Sequence, residues 1–195
     1  MHKLKSPPPW QLENLATSAG GGKIQNDIVV HCQTVANLAS FLAGTAKCGD
    51  PMMTQKAYTA GLFHDVGKFF IKPHLLKDID STEYLEHQER GYLWLMGREW
   101  VDDDILNAAL QHHERIDGKG LKGQTIIHAL TQIVSLADYI VNLQLEDDSE
   151  RCQELLYSYM TLEAGQAWKK EIAELCLSNI PKVLLISSYS SRVAA

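Results

Sequence analysis

Five points along the chain carry side chains that suit a divalent metal. They are His31, the pair His64-Asp65, His87, the pair His112-His113, and Asp138. Neutral imidazole nitrogens and carboxylate oxygens together accommodate Mn, Fe, Co, Ni or Zn. His64-Asp65 is the most specific of the five. It closes an apolar run, Ala60-Gly61-Leu62-Phe63, and precedes Gly67, where the chain can turn sharply. A carboxylate has two oxygens, so Asp65 could bridge two metals, activating a bridging hydroxide and clamping a phosphoryl oxygen. Lys68 follows within a turn and could hold a phosphate oxygen or protonate a leaving group. Asp138 interrupts an apolar stripe running from Val134 to Ile140, and a buried carboxylate needs a partner such as a metal or an arginine. His112-His113 ends a helical pattern whose inner face is Leu106, Ala109 and Leu110. A single histidine on a helix is more often surface or satisfied core than ligand, and His2, His74 and His128 are read in that way. The ordered occurrence of all five points is what indicates a site.

Helices must bring these residues together. Val35, Leu38, Ala39 and Leu42 recur at i, i+3, i+4 and i+7 and predict a helix from about Asp27 to Gly44, with Asp27 at its cap or in its first turn. Further helices are expected over 52–64, 81–95, 102–113, 125–143 and 149–165, with a last one ending near Ser178, before Pro181. The stretch 68–80 holds Pro73 and reads as a turn-rich link, and 117–123 as a glycine-rich loop. Residues 1–22, with Pro7-Pro8-Pro9 and Gly20-Gly21-Gly22, read as a flexible leader, 23–180 as one helical metal-binding domain, and 181–195 as a frayed tail. No period-2 strand and no internal repeat is found. The expected fold is all-α, a compact bundle of about six or seven helices with the site built between facing helices.

Composition narrows the function classes. At 195 residues, 45% hydrophobic and 22% charged, the chain is one ordinary globular domain and not a disordered one. A net charge of −6 argues against a broad nucleic-acid or anionic-membrane surface. No uninterrupted apolar run approaches the ~20 residues of a membrane span, and the N-terminus lacks the apolar core of a signal peptide. Four cysteines without a CxxC pair fit free thiols in a reducing compartment, so a cytoplasmic location is expected. Gly22-Lys23 does not end a phosphate-binding Walker loop, because Ile24 replaces the required Ser/Thr and Thr17 replaces the first glycine.

The order His31, His64-Asp65, Asp138 resembles the HD-domain metal-dependent phosphohydrolases, and His64-Asp65-Val66-Gly67-Lys68 matches that superfamily's HDxGK form. His87 with Gly91, followed by the run from His112 to Gly120 (HHERIDGKG), is similar to the HD-GYP branch, which typically reads HHExxDGxGYP. The resemblance covers about residues 27–145. It implies an all-helical fold with a binuclear or trinuclear centre and hydrolysis of a phosphodiester of cyclic di-GMP or a related cyclic dinucleotide. One metal would use His31, His64, Asp65 and Asp138. The other would share Asp65 and use His87, His112 and His113. Fe or Mn suits this set first, with Co, Ni or Zn allowed. Some members hold a third metal through a glutamate four residues before the first His; here that position is Asp27, for which a helix-start aspartate is the competing reading. Where the branch has GYP this chain has Gly120-Leu121-Lys122, so Tyr and Pro are absent while no ligand is lost. The linker from Asp65 to His87 is short for the branch. Candidate substrate contacts are Lys68, Arg115, Lys119 and Lys122, and Glu114 and Asp117 would orient ligands or shape the loop. The expected partner is a nucleotide or cyclic dinucleotide substrate, with no large nucleic acid and no membrane, and with a protein partner or homodimer left open. Two alternatives stand beside the phosphodiesterase: a nucleotide phosphomonoesterase of the wider superfamily, and a non-catalytic module that binds a nucleotide or partner.

Overall fold

A long helix with apolar residues around most of its circumference must be covered on several sides. Helix α2 (Lys23–Thr45) is that element in the computed structural model, which describes residues 11–46, 51–78, 81–145 and 149–188. Val35, Leu38, Ala39 and Leu42 enter one core cluster; Val29, Cys32 and Ala36 enter a second. Among the described residues α2 is the one helix with the length and apolar character to cross a membrane, with a mean hydropathy of 1.3 over its best window. Half of that window is buried within the fold, as in the core helix of a helical domain.

Helix α1 (Gln11–Ser18) precedes it, so the stretch expected to be a flexible leader is partly helical. Leu12 and Ala16, one turn apart, are buried in the second cluster and hold α1 in place. Helix α2 starts at Lys23, which places Asp27 inside the helix and not at its cap. The triple proline, His2, Cys48 and residues 189–195 lie outside the described residues. Cys32, Cys152 and Cys176 are free thiols.

Helix α3 (Pro51–Phe63) lies close against α2 because small residues face each other. A Cβ on Gly61 would stand 2.8 Å from the Cα of Ala36, so only glycine allows this approach. The consequence is functional: His64, just past the end of α3, arrives beside His31 on α2.

The chain then turns through short 3₁₀ segments at Val66–Phe70 and Leu75–Lys77. Helices α4 (Thr82–Leu85) and α5 (His87–Leu95) follow, where one helix over 81–95 was expected. Ser81 caps α4 by accepting from the Tyr84 N–H at 3.2 Å. Helix α6 (Asp103–Gln111) is capped by Asp102, whose carboxylate accepts from the Ile105 N–H at 3.1 Å. Its acidic start suits the helix dipole and is also bound by Lys56, 2.6 Å from Asp102 and 2.8 Å from Asp104.

Helix α7 (Ala129–Asn142) begins later than expected, because the Gln132 side chain donates to the Ile127 carbonyl and holds the preceding residues out of the helix. Leu130, Ile133, Val134, Leu136, Ala137 and Ile140 are buried, and a fully buried Leu or Ile side chain contributes ~1.5–3 kcal/mol. Helix α8 (Glu150–Glu163) is capped by Ser149, and α9 (Lys170–Leu177) and α10 (Ile180–Ser187) complete the described chain. Pro181 opens the last helix instead of marking the tail, since a helix's first turn has no N–H partner for proline to forfeit. No strand occurs among the described residues, and the fold is all-α as the sequence predicts.

Candidate metal centre

All seven candidate ligands converge. His31 comes from the middle of α2, His64 and Asp65 from the turn after α3, and His87 from the first position of α5. His112 and His113 follow α6, and Asp138 lies in the last half of α7. Two groups form. The first is His31, His64 and Asp138, with His31 Nε2 at 2.9 Å and His64 Nε2 at 3.5 Å from Asp138 Oδ1. The second is His87, His112 and His113, with the Nε2 atoms of His87 and His112 3.4 Å apart.

Asp65 stands between them and divides its oxygens. Oδ2 faces the first group, 3.6 Å from His31 and 3.4 Å from His64. Oδ1 faces the second, 3.3 Å from His87 and 3.6 Å from His112. Asp65 Oδ2 also accepts from the Lys68 ammonium.

Backbone carbonyls set the rings. His64 Nδ1 donates to Gly61 O at 2.7 Å, His87 Nδ1 to Tyr84 O, and His112 Nδ1 to Ala109 O at 3.1 Å. A carbonyl can only accept, so each Nδ1 carries hydrogen and a neutral ring presents its Nε2 lone pair to the centre. Nε2 of His31, His64 and His113 and Oδ1 of Asp65 are buried without a hydrogen-bond partner. Electron-rich atoms packed in this way repel unless a proton or a cation lies among them. The donor set therefore fits divalent metal.

The electrostatics agree. Burial pushes the Asp65 carboxyl up, but the Lys68 ammonium and His64 outweigh it and hold it well below the usual carboxylate range. For Asp138, His31 and His64 outweigh burial in the same direction. Burial takes His87 down to about 4 and, with His112 beside it, takes His113 to about 2, so both rings stay neutral at ordinary pH. His64 differs. Burial lowers it, yet the carboxylates of Asp65 and Asp138 prevail and bring it to about 10.

A prediction about metal loading follows. The metal-free protein is expected to hold a proton on His64 that stabilises the fold fully below the ordinary pKa near 6.5 and is lost as pH rises through about 10. Metal must displace that proton, so affinity rises with pH and protons leave on loading. Calorimetry in buffers of different ionisation enthalpy measures it; a heat independent of the buffer would contradict it.

The other candidates take varied places. Asp27 lies one turn before His31 and lines a cavity with it, but belongs to neither ligand group. Arg115 is bound by Asp117 and Glu163, with contacts of 2.9 and 2.8 Å, and lines a second cavity with His112, His113 and Asp138. Arg115 and the Lys119 N–H lower the Asp117 carboxyl to about 2. Lys119 and Lys122 are exposed and line neither cavity. The Lys122 ammonium is taken by Glu89, at 2.7 Å.

Glu114, next to His113 and buried, accepts from the backbone N–H groups of Lys122 at 2.8 Å and Gln124 at 2.9 Å. The residue that replaces the branch's proline thus supplies a hydrogen bond a proline lacks. Lys122→Pro should cost about 1–3 kcal/mol by leaving one Glu114 oxygen unpaired. Lys122→Met should cost under about 1 kcal/mol, since an exposed ion pair contributes little. Urea denaturation measures both, and equal effects would contradict the assignment.

Two further residues escape sequence reasoning. Asn142, one turn beyond Asp138, donates to Asp138 Oδ1 at 2.8 Å and lines both cavities. Tyr84 supplies the carbonyl that orients His87, and its ring lies 5.2 Å from the Lys68 ammonium. The i, i+4 spacing of Asp138 and Asn142 is a readable signal; a backbone acceptor has none.

Residues 28–143 match the HD domain family, well over half of the chain. The chain belongs to the HD domain family. That family comprises metal-dependent phosphohydrolases. Over 97 residues the HD domain protein is 33% identical to cyclic di-GMP phosphodiesterase PA4108 of Pseudomonas aeruginosa. That match covers 47% of this chain and 23% of the relative, so it spans about a quarter of the relative's length. Its fold is similar to that of Bd1817, an HDG"Y"P protein from Bdellovibrio bacteriovorus, with a TM-score of 0.60 and 21% identity. The likeness covers 85% of this chain and 56% of that one.

Proposed function

We propose that this HD domain is a metal-dependent phosphodiesterase acting on a cyclic dinucleotide or a related nucleotide diester. The observation that carries the reading is the division of Asp65, one oxygen toward each histidine group. A carboxylate so placed suits two cations held side by side. The ligands would be His31, His64, Asp65 and Asp138 for one, and Asp65, His87, His112 and His113 for the other. Bound divalent ions of this kind supply a water nucleophile of lowered pKa and neutralise charge on the phosphoryl oxygens. The relative's printed activity, cyclic di-GMP hydrolysis, supports a diester as the substrate.

The chain's own residues do the rest. The Gly61, Tyr84 and Ala109 carbonyls fix the rings before substrate arrives, which removes reorganisation from the reaction. Lys68 is raised above its ordinary range: burial opposes the charge, but Asp65 and its neighbours outweigh it. An ammonium held beside Asp65 can serve as a fixed charge for a phosphate oxygen. Asn142 keeps Asp138 turned toward the centre.

The test is direct. Chain purified without chelator is analysed for metal and assayed with cyclic di-GMP, bis(p-nitrophenyl) phosphate and nucleoside monophosphates. Two equivalents of Fe or Mn with diester turnover is the expected result. Turnover of monoesters alone would make it a phosphomonoesterase, and metal without any turnover would make it a binding module.

A further inference from the structure

A cavity of about 250 Å³ opens beside the centre onto His31, Asp65 and Lys68. Beyond them it is lined by Asp27 and Asn142 and by four apolar or aromatic side chains from three separate elements. Helix α2 presents Ile24 and Ile28, one turn apart. The second 3₁₀ segment presents Leu76, and α4 presents Tyr84. All four are half-buried, so each keeps a face open. Phosphoryl chemistry needs charges and hydrogen-bond donors, and nothing in it calls for an apolar wall. A wall of this kind a few ångströms from a fixed ammonium suits a ligand that is charged at one end and flat and apolar at the other.

We infer that this cavity is the subsite for a nucleobase of the substrate, with Tyr84 as its stacking wall and specificity residue. The inference rests on the proposal that a nucleotide phosphate lies over Asp65 and Lys68. Size supports a single base: at ~30 Å³ per water the cavity holds about eight waters' worth of volume. Position supports it as well. The Lys68 ammonium lies over the Tyr84 ring, 5.2 Å from its centre, and the His87 ring is 5.2 Å away, so a base beside Tyr84 would lie close to a phosphate at the centre. Leu76 and Tyr84 both belong to the segment between Asp65 and His87. Their side chains would set base recognition, while the Tyr84 carbonyl of the same segment orients His87.

The probes are GMP and inorganic phosphate, titrated by calorimetry into metal-loaded chain. Tyr84→Ala keeps the carbonyl that orients His87 and removes only the ring. It should weaken GMP about tenfold, the size of a base–aromatic stack, and weaken phosphate by much less, through the lost contact with Lys68. Tyr84→Phe should bind both as wild type does. Leu76→Trp, which fills the cavity from another element, should also weaken GMP alone, and it serves if Tyr84→Ala fails to fold. GMP binding unchanged in both Tyr84→Ala and Leu76→Trp, or a parallel loss of phosphate, would overturn the subsite. The underlying reading fails separately: wild-type chain that turns over no diester sinks the phosphodiesterase proposal, whatever the GMP selectivity.

Discussion

Asp65→Ala is expected to empty both ligand groups at once and to abolish phosphoester hydrolysis. Among the described residues no other side chain offers an oxygen to each group; Oδ2 lies within 3.6 Å of His31 and His64, and Oδ1 within 3.6 Å of His87 and His112. Asp138→Ala should behave differently, because Asp138 meets only the first group. It should leave about one equivalent of metal held by Asp65, His87, His112 and His113. Elemental analysis of the two variants separates the cases. Metal-free Asp65→Ala should also be less stable than the metal-free parent. Its substitution leaves the mostly buried Lys68 ammonium without its carboxylate, and breaking a buried pair costs about 3–5 kcal/mol. Asp65→Asn keeps the volume and an acceptor for Lys68, so it should regain part of that stability and none of the metal. If Asp65→Ala retained two equivalents, the shared-carboxylate arrangement would be wrong.

What the sequence showed and what it withheld divide along a physical line. His64-Asp65-Val66-Gly67-Lys68 and His112-His113-Glu114 are contiguous, and their side chains meet through one turn of backbone, so a short string carries the geometry. Asp138 was legible because a carboxylate amid Leu136, Ala137 and Ile140 has to be explained. The acceptors that orient the rings were not. Any residue type could supply the carbonyls of Gly61, Tyr84 and Ala109. The break between α4 and α5 at Glu86 leaves no mark in helix propensity, since tertiary contact decides it. The Lys122–Glu89 pair joins residues 33 positions apart and becomes visible only in the fold. The same is true of Leu12 and Ala16, whose spacing is helical but whose burial depends on α2 being there to cover.

Gly67→Ala should damage fold and site together, and by more than any other glycine substitution near the centre. A Cβ at Gly67 would stand 1.8 Å from the His87 carbonyl oxygen and 2.7 Å from the Gly91 nitrogen. These are backbone atoms of α5 and cannot swing aside as a side chain would. The start of α5 must retreat by roughly 1 Å or more, at a cost of about 3 kcal/mol or above for overpacking against rigid structure. His87 is the first residue of α5, so its ring leaves Asp65 Oδ1 and His112 along with the helix. The second ligand group should weaken while His31, His64 and Asp138, carried by α2, α3 and α7, keep their affinity. Gly91→Ala is the control from the other side of the same contact. Its Cβ would meet Gly67 N at 3.2 Å and Val66 Cγ1 at 3.3 Å, which small shifts relieve, and alanine favours the helix by about 0.5–1 kcal/mol. The pair should differ by at least about 2 kcal/mol in urea denaturation, and Gly67→Ala alone should lose one of two metal equivalents. Equal stabilities, or two tightly held equivalents in Gly67→Ala, would show that the packing of the 3₁₀ turn on α5 does not set the position of His87.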